Sequence, residues 1–77
     1  MNQKLAELMA EILDVPVGDI RPETVRDGHP TWDSLNHLRL MTAIEEEFGV
    51  QFSMDDIEGI ETAGQLDGLL TSHQATV

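Results

Sequence analysis

The sequence predicts an all-α fold: a small four-helix bundle with three longer helices, a short third helix and a long loop between helices one and two. Three observations carry this. Apolar residues recur at three- and four-residue spacing in separate stretches. Each stretch is preceded by Asn, Asp, Ser or Thr, the side chains that cap helices. With Trp32, Phe48 and Phe52 as the aromatic residues, the interior is built from Leu, Ile, Val, Met and Ala, which favours helical packing over a β-sandwich. A chain of 77 residues holds one domain and one small core.

In the first helix Asn2 is the cap and Leu5, Leu8, Met9 and Ile12 recur at helical spacing, with Leu13 at the edge. It ends near Asp14, because Pro16 disfavours helix at Val15. From Val15 to Trp32 the chain reads as an ordered loop with a single turn. Loops of this length in compact domains are functional or pinned, and Val17, Ile20 and Val25 are the expected pins.

The second helix runs from Ser34 to Phe48, capped by Asp33 and stopped by Gly49 at C′. On a helical wheel Leu38, Leu40, Met41, Ile44 and Phe48 share one face, and His37 falls inside that arc. Asn36, Arg39, Ala43, Glu46 and Glu47 take the opposite face, with Glu45 at the boundary. Ser53 and Asp56 form a capping box for a short third helix, Met54 to Glu58, ended by Gly59. Thr62 and Gln65 form another for the fourth helix, which turns Ala63, Leu66, Leu69 and Leu70 inward. The domain is read as residues 1–72, with 73–77 a flexible C-terminal tail.

Composition excludes several functions. With no cysteine there is no disulfide, thiolate metal site or cysteine nucleophile. Fifteen acids against four bases, a formal net charge of −11, repel nucleic acid and anionic membranes and attract basic protein surfaces. No apolar run approaches a membrane span. Met1-Asn2-Gln3-Lys4 leads straight into helix and does not resemble a signal peptide, so the expected location is cytoplasmic. His29, His37 and His73 have no metal-ligand spacing, and Asp55-Asp56-Ile57-Glu58 lacks the alternating oxygens and central glycine of an EF-hand. No glycine pattern for a nucleotide is present.

What remains is Asp33-Ser34-Leu35 at the start of a long helix. A helix N-terminus stabilises anions through its free N–H groups and dipole, so an exposed serine there suits a phosphate-linked group. Self-sufficient hydrolysis is not expected. His37 lies one turn beyond Ser34, but there is no buried acid to orient it and no glycine-rich oxyanion loop.

Nearly the whole chain resembles the acyl carrier protein family, the phosphopantetheine-binding carriers. The resemblance rests on Ile20-Arg21-Pro22-Glu23-Thr24 in the loop, Asp33-Ser34-Leu35, Glu45-Glu46-Glu47-Phe48-Gly49-Val50 at the end of the second helix, and Thr62 opening the last. It implies a non-catalytic carrier. A phosphopantetheinyl transferase attaches 4′-phosphopantetheine from coenzyme A to Ser34, flanked by Asp33 and Leu35. The arm then holds acyl groups as thioesters, so the cofactor brings the sulfur and the hard chemistry. Further partners implied are acyl-loading, condensing or acyltransferase enzymes with basic docking patches, meeting a monomeric carrier through Asn36, Arg39, Glu45, Glu46, Glu47, Asp56 and Trp32. His37, Leu38, Met41, Ile44 and Leu66 are the expected acyl pocket.

The chain departs from the housekeeping fatty-acid pattern. Thr31-Trp32 precede the motif where a glycine and a small or aliphatic residue are usual. Asn36 and Arg39 stand where acids are common. These departures point to a dedicated biosynthetic pathway of polyketide, fatty-acid-like or hybrid type. An aminoacyl or peptidyl carrier and a cofactor-free acidic helical adaptor are the alternatives. His37 and Trp32 are each open to a packing role or a functional one.

Overall fold

The computed structural model describes residues 1–75. Four helices and one 3₁₀ turn surround an aliphatic core: α1 Gln3–Leu13, a turn at Val17–Asp19, α2 Ser34–Phe48, α3 Met54–Gly59 and α4 Ala63–Ala75. The helix starts follow from local side-chain chemistry. Asn2 accepts the Leu5 N–H at 3.1 Å, and Asp33 accepts the Asn36 N–H at 2.8 Å. Ser53 and Asp56 exchange both bonds of a capping box, at 3.0 and 3.2 Å. At α4, Thr62 Oγ1 accepts the Gln65 N–H at 3.1 Å while Gln65 Oε1 accepts the Thr62 N–H at 3.1 Å.

The helix stops divide in two. Gly49 adopts the left-handed conformation, φ 66°, that ends α2 without a Cβ clash. At the end of α1 the same conformation falls on Asp14, φ 56°, a residue that tolerates it. The α1 stripe is centred on Leu5, Met9 and Leu13, all fully buried, with Leu8 and Ile12 flanking it rather than leading it.

The long loop is pinned, although differently from expectation. Ile20 is buried, whereas Val17 and Val25 are exposed. The real pins are backbone carbonyls. Pro22 O and Thr24 O accept the Gly64 and Ala63 N–H groups, each at 2.9 Å, and Glu61 O accepts the Arg26 N–H at 2.8 Å. The loop thereby satisfies amides that the start of α4 leaves without helical partners. This close approach requires Gly64, because a Cβ there would sit 2.9 Å from Pro22 O.

Two other expectations change. Leu38 is 51% exposed rather than inward. At about 100° of turn per residue it stands a quarter-turn from the buried His37, on the flank it shares with Ser34. The helix also persists through 73–75, where a patternless tail was expected. The His73 ring packs edge-on against Phe52 at 4.9 Å, and its Nδ1 lies 3.0 Å from Leu69 O. Residues 76–77 of that tail lie outside the described residues.

Charge is poorly compensated. Among the described residues Lys4 pairs with Glu47 at 3.0 Å and the His73 ring lies 3.7 Å from Asp56, in a chain of net charge −11. Self-repulsion therefore opposes a modest hydrophobic gain. The melting temperature should rise from low to moderate salt, as screening removes the repulsion. A flat response would contradict this.

Candidate functional site

Asp33 spends one carboxylate oxygen on the cap, which sets the first turn of α2 and leaves Ser34 as its first helical residue. Ser34 is exposed, and its hydroxyl takes part in no hydrogen bond among the described residues. Leu35 beside it is 66% exposed. Ser34 opens on a cleft of about 940 Å³ between the 25–29 turn, the start of α2 and the α3 segment.

Beneath the serine runs a buried relay. The Trp32 indole N–H donates to His37 Nδ1 at 3.0 Å, and His37 Nε2 lies 2.7 Å from Ile57 O. An indole nitrogen only donates and a carbonyl only accepts. His37 is therefore the neutral tautomer with its proton on Nε2, and both ring nitrogens are engaged. The ring ties the loop before Ser34 to α3, which has no fully buried residue of its own. Among the described residues neither His37 nitrogen bonds the Ser34 hydroxyl, since Trp32 and Ile57 take both.

Burial lowers the His37 pKa below the ordinary histidine value, because a charged ring would lose its hydration. The bond to Ile57 O pulls it upward, and the nearby Arg26 charge pushes it further down. The unfolded chain thus holds this proton more tightly than the folded one. The resulting stability is whole above about pH 6.5 and is lost as pH falls from there towards the lowered folded value. The slope reaches at most about 1.4 kcal/mol per pH unit in that window. Thermal melts between about pH 7.5 and 5.5 should show this loss. His37→Gln, whose amide serves the same two partners without titrating, should show less of it. Equal pH dependence in the two proteins would contradict the relay.

The other expected site residues separate. Trp32 is 2% exposed, so it packs and offers no surface to a partner. Of the expected pocket, His37 and Leu38 line the cleft, whereas Met41, Ile44 and Leu66 are sealed in the core. Asn36 is half-buried and donates from its side chain to Thr31 O at 2.8 Å. Arg39 is exposed, 3.5 Å from Asn36 Oδ1. The three glutamates have different duties. Glu45 accepts the Phe52 N–H at 2.8 Å, Glu47 pairs with Lys4, and Glu46 stands exposed near Arg39. Asp56 is engaged in its capping box and with His73.

Sequence reasoning missed Val25, Arg26, Met54 and Ile57 as cleft-lining residues. The first two lie on a loop whose path depends on carbonyl acceptors. The last two lie on a helix placed by tertiary contacts, so no local signal marked them. No helix among the described residues is long and apolar enough to cross a membrane.

Comparison with known proteins adds three findings. A family described as "Phosphopantetheine attachment site" matches residues 31–70. An acyl carrier protein of Acidothermus cellulolyticus is 33% identical over 60 residues, covering 78% of this chain and 71% of that protein. The solution structure of a holo acyl carrier protein from Geobacter metallireducens superposes with a TM-score of 0.84 over 95% of this chain and 84% of that one, at 22% identity, a likeness of fold.

Proposed function

Since this chain belongs to the phosphopantetheine-attachment family of acyl carrier proteins, we propose that Ser34 bears the arm and that the carrier serves one dedicated biosynthetic pathway. The protein is a carrier and not a catalyst, and its cofactor is a covalently attached phosphopantetheine. The observation that supports Ser34 is its exposed hydroxyl, without a hydrogen bond, at the first residue of α2 and on the edge of the cleft. When bound, the arm supplies a thiol that holds an acyl group as a thioester. The chain's own residues do the rest. Asp33 fixes the turn that presents the hydroxyl, and the Trp32–His37–Ile57 relay holds the ground beneath it. Leu38, Met54 and Ile57 offer an apolar flank to the cargo.

The test is chemical. Loaded from an acyl-coenzyme A, the protein should gain the arm with its acyl group. Neutral hydroxylamine should then remove the acyl group alone, since an amine nucleophile cleaves a thioester and leaves a phosphodiester intact. An acyl group that resists this treatment would refute the thioester.

Pathway choice is read from the exposed face of α2. With Glu45 and Glu47 engaged, the ground beyond Ser34 is Leu35, Arg39, Thr42 and Glu46, a less negative surface than a basic docking patch favours. A positive charge facing such a patch costs roughly 1 kcal/mol, about fivefold in kcat/KM. Arg39→Glu should therefore raise kcat/KM with housekeeping fatty-acid enzymes and lower it with the native partner, and both effects should fade with salt. Unchanged values with both enzymes would make Arg39 a passive surface residue.

A further inference from the structure

The chain has four Lys and Arg side chains, and three of them have partners. Lys4 pairs with Glu47 and lies 5.6 Å from the Phe48 ring centroid. Arg21 Nε donates to Gly18 O at 3.4 Å, and Arg39 reaches Asn36. Among the described residues the Arg26 guanidinium has no hydrogen bond, ion pair or ring partner.

Arg26 is nevertheless half-buried and held in place. Its backbone N–H donates to Glu61 O at 2.8 Å, and its backbone carbonyl accepts the His29 N–H at 3.1 Å. It lines the cleft on which Ser34 opens, and its charge reaches His37, one turn after that serine. A cation without a counter-ion, carried by an anchored and half-buried loop residue in a chain with fifteen acids, suits an anion that arrives later.

We propose that Arg26 is the contact for the phosphodiester that joins the arm to Ser34. The inference rests on Ser34 being the attachment residue. The phosphate is bonded to the Ser34 oxygen, so its charge cannot leave the edge of the cleft. The same cleft carries the carboxylates of Asp27, Asp33, Glu58 and Glu61, which repel a further negative charge. Arg26 opposes that repulsion through charge-assisted hydrogen bonds to the phosphate oxygens. His29, the other basic group on the cleft besides the relay histidine, already accepts the Thr31 N–H on Nδ1 at 3.2 Å.

The test compares apo and arm-bearing protein, with loading verified by intact mass, in wild type and Arg26→Gln. On loading, the wild type should shift the Arg26 Nε–H resonance. It should also gain a few degrees in melting temperature at low salt, a gain that shrinks as salt rises. Arg26→Gln should take up the arm yet lose that gain, and its ³¹P resonance should differ from that of the loaded wild type. Loaded proteins with equal thermal gains and equal ³¹P shifts would overturn the role of Arg26 alone. A protein that accepts no arm on Ser34 would overturn the attachment reading and this inference with it.

Discussion

Trp32→Ala should cost about 3–5 kcal/mol, the loss expected for a large buried aromatic. Domains of this size hold only about 5–15 kcal/mol in all. Urea unfolding followed by circular dichroism should therefore show a midpoint far below wild type, or no folded baseline. Two effects combine. The ring is 2% exposed and belongs to the core cluster. Its N–H also occupies His37 Nδ1, and the opposite nitrogen of that ring holds α3 through Ile57 O. Trp32→Phe separates these effects. It keeps most of the apolar surface but leaves a buried acceptor unpaired, at roughly 1–3 kcal/mol. Because Trp32 lies two residues before Ser34, both variants should also slow loading by the transferase. A Trp32→Ala protein within about 1 kcal/mol of wild type would show that the relay does not support the site.

The helix starts were legible in the sequence because caps are local. Asn2, Asp33, Ser53 and Thr62 each bond an amide three residues on, and such pairs can be read along the chain. The inward positions of α4 were legible for the same reason, since Ala63, Leu66 and Leu70 follow one period. The loop was not. Its anchors are the carbonyls of Pro22, Thr24 and Glu61, a group every residue owns, so Val17 and Val25 stood in for them wrongly. Leu38 was misjudged because an apolar arc on a wheel does not show where the core stops and a cleft begins. His37 could be assigned to the inner face, but its acceptor lies twenty residues away on a carbonyl, which periodicity cannot reveal. For Trp32 the sequence speaks for packing only through the value of a lone large aromatic in a small core, and the bond to His37 supplies the specific reason.

The residue proposed to bear the arm, Ser34, is read from Asp33-Ser34-Leu35 in its helical setting. The structure adds why its loss should be clean. The Ser34 hydroxyl has no hydrogen bond within the described residues, and the cap belongs to Asp33. Alanine is also a good residue for the first turn of a helix. Ser34→Ala should therefore stay within about 0.5 kcal/mol of wild-type stability. The central claim then rests on one measurement, the intact mass of both proteins after incubation with coenzyme A and a broad-specificity phosphopantetheinyl transferase. Wild type should gain the mass of one arm, and Ser34→Ala, equally folded, should gain none. An arm on folded Ser34→Ala, or a wild type that stays unmodified, would contradict the assignment.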